Sequence, residues 1–191
     1  MILDATRSLV EKEGYSKVSI RKITNEVGYT SGTLYLVFKD IDELLLELHI
    51  ETLERLHALL HAIPMTGDPE ADLLKLSDGY SEFTKENRNL WNALFEHKIE
   101  DGKVLPERYD RAIFKLIDLA IEAIRPLYQG GSDEDIIHDA RVLWASLYGI
   151  LSLDASKKLS RYEDTQSFIA SLIKNYVAGI RSNLSDASIS L

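Results

Sequence analysis

The sequence contains no cysteine. Disulfide bridges, thiolate nucleophiles and cysteine-ligated zinc are therefore excluded. No run of apolar residues approaches the roughly 20 needed to cross a bilayer. The opening stretch MILDATRSLVEKEG has no basic leader and is interrupted early by acidic residues. It does not read as a signal peptide, and a cytoplasmic location is the expectation. Alternating apolar and polar residues never persist long enough for a convincing strand. Neither a G-x-x-x-x-G-K-[ST] phosphate loop nor a G-x-S-x-G nucleophile elbow occurs. Serines are plentiful but nothing marks a triad, so no enzyme is expected. Proline is scarce, at four residues.

What remains is helical and acidic. The 191 residues are 45% hydrophobic, enough to bury a sizeable core without a metal staple. The net charge of −9 argues at first against nucleic acid, but it is unevenly placed. Residues 1–39 hold Arg7, Lys12, Lys17, Arg21, Lys22 and Lys39 against Asp4, Glu11, Glu13 and Glu26. That segment is +2 and the rest −11. A phosphate-binding surface can be local on an acidic chain.

Apolar spacing predicts a helix over 2–13 closed by Gly14, and a short one capped by Ser19 carrying Ile20, Ile23 and Val27. Gly28 ends that helix with a positive φ, and Thr30 caps a third helix holding Leu34, Val37 and Phe38. A long helix follows over 41–62, with Asp40, Asp42 and Glu43 near its positive end. IPMTGDP, residues 63–69, is a breaker and the expected domain boundary. Further helices are expected near 70–86, 89–100, 106–128, 133–156 and 163–181, with Pro126 ending or kinking its helix. The fold class is all-α: a helix-turn-helix domain over 1–45, a long fourth helix leading into a helical bundle over 46–181, and a flexible tail over 182–191.

Residues 18–38, VSIRKITNEVGYTSGTLYLVF, carry the strongest signal. Two short helices joined by a tight turn share a core with the first, which leaves one helix projecting for a major groove. Thr30, Ser31 and Thr33 offer short hydroxyls at its front, and Gly32 permits close backbone approach. Tyr35 can reach a phosphate, Lys39 adds a charged contact, and Arg21 and Lys22 start the preceding helix.

From Ile2 to Leu45 the chain resembles the TetR/AcrR family of one-component bacterial transcription regulators. The resemblance rests on ILDA, EKEGY, I-x-x-I-x-x-x-x-G-Y-T, GTLY and F-K-x-x-x-E-L. It implies a DNA-binding head, a linking helix and a ligand-binding, dimerising bundle. Members are mostly repressors released by a small molecule. Carried over, Thr30, Ser31, Gly32 and Thr33 match positions that meet bases or adjacent phosphates. Tyr35 and Lys39 match phosphate contacts, and Ser19 and Arg21 match phosphate-side positions. Leu36 and Val37 depart from the family's usual aromatic and histidine, and Ile41 from a frequent lysine. WASLYG, Trp144 to Gly149, resembles a C-terminal subgroup with a Trp…His-Gly stretch, Tyr148 standing for the histidine.

Trp91, Phe95, Tyr109, Phe114, Trp144 and Tyr148 are candidates to line a cavity for a small organic effector, although each could equally fill a helical core. The helices near 133–156 and 163–181 carry more apolar surface than one stripe needs, which predicts a homodimer seam. His97 and Glu100, and His57 and His61, have helical spacing but too few partners for a metal. No metal or cofactor is expected. The expected partners are double-stranded DNA, a second copy and the effector, with no membrane. Two other readings remain open: a ligand-independent DNA-binding or nucleoid-associated protein, and a helical protein-interaction module with a vestigial helix-turn-helix.

Overall fold

In the computed structural model, α1 spans Ile2–Glu13 because Ile2, Ala5, Leu9 and Val10 recur on one helical face and are buried. The structure describes residues 1–98, 104–128, 132–159 and 163–189, with side chains described as far as 184. Among the described residues the remaining helices are α2 (Ile20–Val27), α3 (Ser31–Tyr35), α4 (Ile41–His61), α5 (Pro69–Glu86), α6 (Arg88–Glu96), α7 (Glu107–Ile124), α8 (Asp133–Ala155) and α9 (Thr165–Ile189). No strand occurs among them. The all-α expectation holds. Pro126 does end α7, which gives way to a 3-10 turn over Arg125–Leu127. The last helix runs on to Ile189, beyond the expected end near 181.

Two compact units divide the chain. The first joins residues 1–56 with 84–113. Its core has two parts. Ile2, Leu9, Ile23, Leu34 and Leu44 form one, with Leu3, Val18, Ile20 and Phe38 packed against it. Val10, Leu48, Leu90 and Ala93 form the other, so α6 rests on α1 and α4. The head expected to end at residue 45 therefore shares its packing with a distant segment of sequence. Arg7 fastens α1 to α4 through Glu51 at 2.6 Å, and this bond raises the affinity of the guanidinium for its proton.

The second unit joins residues 57–83 with 114–191. The breaker at 63–69 therefore does not mark the boundary but lies inside this unit, where one carboxylate holds its turn. Asp72 accepts from the Thr66 backbone N–H at 2.8 Å, the Thr66 hydroxyl at 2.7 Å and the Gly67 N–H at 2.8 Å. Gly79 is closely packed: a Cβ there would lie 3.0 Å from a Leu60 methyl and 3.1 Å from an Ile63 methyl, which would have to shift. α8 and α9 are tied by Asp139, whose carboxylate accepts the hydroxyls of Tyr128 and, at 2.9 Å, Tyr176.

Candidate nucleic-acid interface

Ser19 caps α2 as its sequence position implies, its side chain accepting from the Lys22 N–H at 3.4 Å. Ile23 and Thr24 of α2 are buried, while Arg21, Lys22, Asn25 and Glu26 face solvent. Gly28 has φ 71°, the left-handed conformation that turns the chain sharply, and the Thr24 carbonyl accepts from both Gly28 and Tyr29. Thr30 then caps α3 through the Thr33 N–H at 3.3 Å. Its hydroxyl also lies 3.1 Å from the Thr33 hydroxyl, so both are engaged within the protein.

α3 continues as a helical turn past Tyr35, since Leu36 donates to Gly32 and Val37 and Phe38 donate to Leu34. Leu34 is fully buried and Phe38 packs beside it. At about 100° per residue, positions two before and two after Leu34 point the opposite way. Gly32 and Leu36 occupy that outward side. A Cβ on Gly32 would meet only Thr30 Oγ1, at an ordinary 3.6 Å. Unlike Gly79, Gly32 answers to no packing inside the protein. Tyr35 is 52% exposed, and Thr30, Ser31, Gly32 and Lys39 are exposed, with Thr33 half-buried.

The basic groups differ in availability. Lys22 is bound to Glu13 at 2.5 Å. Among the described residues Arg21 and Lys39 make no side-chain ion pair, so both charges stand open. The start of α4 below them is capped twice: Asp40 accepts from the Glu43 N–H at 2.8 Å, and Glu43 reaches back to the Lys39 N–H at 2.5 Å.

The six aromatic candidates fall three in each unit. In the first, Trp91 is buried and meets Phe95 edge-on, ring centres 5.5 Å apart, and burial pushes the Tyr109 hydroxyl pKa up. In the second, Arg141 lies 5.4 Å over the Phe114 ring, and Trp144 stacks on Tyr148 at 6.2 Å. The Trp144 indole N–H is shielded from solvent and has no hydrogen-bond partner among the described residues.

Sequence reasoning missed three polar constellations. They are the Asp42–His97–His49 chain, the Asp72 turn and the Tyr128–Asp139–Tyr176 cluster, which borders a pocket of about 250 Å³. Helical spacing had singled out His97 together with Glu100, and Glu100 lies outside the described residues. His57 and His61 stack on each other at 5.4 Å. Among the described residues no three His, Cys, Asp or Glu side chains are grouped to hold a metal, and no helix is long and apolar enough to cross a membrane.

A capped pair of short helices with its second member turned outward, carried by a helical bundle, defines a helix-turn-helix regulator that binds DNA. Residues 2–48 match the family described as bacterial regulatory proteins, tetR family, and residues 73–176, over half the chain, match the tetracyclin repressor-like C-terminal domain. The chain belongs to the TetR family. No curated protein matches its sequence. Among solved structures it is similar to a putative transcriptional regulator from Pseudomonas aeruginosa, at 20% identity and TM-score 0.68, covering 95% of this chain and 88% of that one. A TetR transcriptional regulator from Rhodococcus is 14% identical with TM-score 0.70, covering 92% of each. BioQ, solved with its natural double-stranded DNA operator, is 17% identical with TM-score 0.66, covering 93% and 96%.

Proposed function

We propose that the protein is a ligand-responsive repressor that binds a palindromic duplex as a homodimer and is released by a small organic effector. The observation that carries this reading is the outward side of α3, where Gly32 leaves room that no part of the protein needs. A glycine inside a helix costs about 0.5–1 kcal/mol relative to alanine. An external surface that must come close to the backbone accounts for it, and a nucleic-acid groove is such a surface. Ser19, Arg21, Thr30, Ser31, Thr33, Tyr35 and Lys39 surround it. The exposure of all but the half-buried Thr33, and the open charges of Arg21 and Lys39, support contacts to phosphates and base edges. The engaged hydroxyls of Thr30 and Thr33 lend themselves to helix positioning as well as contact. BioQ, similar in fold, was solved on its operator, which supports the same docking here.

Dimerisation is supported by α8 and α9. They pack on each other, yet Val142 and Leu153 stay exposed and Ile137, Leu147, Ile150 and Leu172 are only partly covered. A two-fold partner would cover them and set two α3 helices about 34–36 Å apart or somewhat more. The effector reading draws on Trp91, Phe95 and Tyr109 of the first unit and, separately, on Phe114, Trp144 and Tyr148 of the second. Its best support is the unpartnered Trp144 indole N–H, a donor that a ligand acceptor would satisfy. Binding there releases DNA only through a difference in affinity between the two states. The Trp144–Tyr148 stretch also supports kinship with the Trp…His-Gly subgroup. The DNA-contacting head is proposed to lie within 1–45, resting on 84–113, with the bundle over 46–181 and the tail, 182–191, starting inside the last helix, in the cytoplasm.

Selection of duplexes from a random-sequence pool by the purified protein tests the reading. It should enrich a palindrome, and Tyr35→Phe should weaken binding to it. Failure to enrich any duplex would overturn the proposal.

A further inference from the structure

Leu36 is the most exposed large hydrophobic side chain of the head, at 86%, and Val37 beside it is 62% exposed. Leaving two aliphatic side chains in water beside each other gains nothing for the fold. Leu36 stands on the same outward side as Gly32, one turn later, and helical side chains lean back toward the preceding turn. A surface that enters the open space at Gly32 therefore meets Leu36 next.

The chemistry around this pair limits what that surface can be. Arg21 and Lys39 stand open nearby, and Thr30, Ser31 and Thr33 ring the tip. The partner has an anionic rim and a small apolar spot within it. A protein partner would need far more than two aliphatic side chains, since a stable interface covers about 800 Å² on each side. The major groove fits: phosphates line its edges, and the one apolar group on its floor is the C5-methyl of thymine. We infer that Leu36 is a specificity residue, packing its side chain against the C5-methyl of a thymine in each half-site. The inference rests on the regulator reading and adds to it a base preference that no phosphate contact can supply. Val37, turned to the flank, covers the adjoining sugar edge.

The probe is the duplex enriched from a random pool by the wild-type protein. Each thymine of a half-site is replaced in turn by uracil, which removes the methyl and keeps the base pair. One position per half-site should weaken wild-type binding about three- to fivefold, the worth of one buried methyl. Leu36→Ala should bind the thymine duplex more weakly by a similar factor and should not distinguish thymine from uracil there. Leu36→Met should retain the distinction. The variant side chain is exposed, so its helical circular dichroism should equal that of the wild type. The inference is overturned if every uracil substitution affects wild type and Leu36→Ala alike while Tyr35→Phe still weakens binding. It is likewise overturned if Leu36→Ala changes only the oligomeric state. Failure of the wild type to enrich any duplex brings down the regulator reading, and this inference with it.

Discussion

The Nε2 atom of His49 lies 3.1 Å from Nδ1 of His97, whose own Nε2 lies 3.2 Å from the Asp42 carboxylate. The carboxylate sets the order of protons along this chain. When His97 is neutral and donates from Nε2–H to the carboxylate, its Nδ1 accepts from His49 Nε2–H. His49 Nδ1 is then a buried lone pair with no donor facing it among the described residues. A proton added there would bring a charge without an acceptor. Burial first, and the neighbouring His97 second, push the His49 pKa down to about 3.

Stability should therefore depend on pH through His49. The unfolded chain binds this proton near pH 6.5 and the folded one does not, so the contribution is complete above about pH 6.5 and is lost as pH falls toward 3. Between these limits the slope approaches about 1.4 kcal/mol per pH unit. Urea unfolding at several pH values should show this slope in the wild type. His49→Gln keeps a donor near the same place and cannot titrate, so it should lack this slope, and the stability difference between the two proteins should stay constant above pH 7.

Asp72 gives a second, lower window. Burial works against its charge, but hydrogen bonds from Thr66 and Gly67 outweigh it and hold its pKa below the usual carboxylate value of 3.8. Its contribution is complete above about pH 4 and is lost as pH falls further. Asp72→Asn should lower the unfolding free energy by about 1–3 kcal/mol at pH 7, because backbone donors lose a charged acceptor. Chemical denaturation checks this directly.

Gly32→Ala should separate stability from function. The added Cβ meets only Thr30 Oγ1 at 3.6 Å, and alanine is the better helix former. Thermal unfolding should show a gain of about 0.5–1 kcal/mol. Duplex binding, measured by fluorescence anisotropy, should nonetheless weaken. A variant that is both more stable and equally tight would remove the case for close approach.

Lys39→Ala should weaken binding to all duplexes by similar factors and reduce the slope of log affinity against log salt by about one. Tyr35→Phe should lower affinity by roughly the worth of one hydrogen bond, about 1 kcal/mol, with little change in the salt slope. Titrations at several salt concentrations distinguish the two.

The head was largely legible because its signals are local. Ser19, Gly28 and Thr30 act within three or four residues, and each cap and turn forms where the sequence implies. The polar chains were not legible because their members lie far apart: His49 and His97 are 48 positions apart, Asp139 and Tyr176 are 37. No periodicity registers such pairs. On α4, Leu46, His49, Ile50, Thr52 and Leu53 are buried as well as Leu44, Leu45, Leu48 and Leu56, while Leu59 is exposed. A helix covered on several sides has no single face to read. The breaker at 63–69 was recognised from its proline and glycine, but the carboxylate that organises it stands in the next helix.

The support that Leu90 and Ala93 give to Val10 has a practical corollary for anyone building chimeras. A graft cut after residue 45 would lose Leu48, Leu90 and Ala93 together and lay Val10 bare. A transplant that keeps this packing carries residues 84–113 along with the first 56, and substitutions at the exposed tip of α3 leave it untouched.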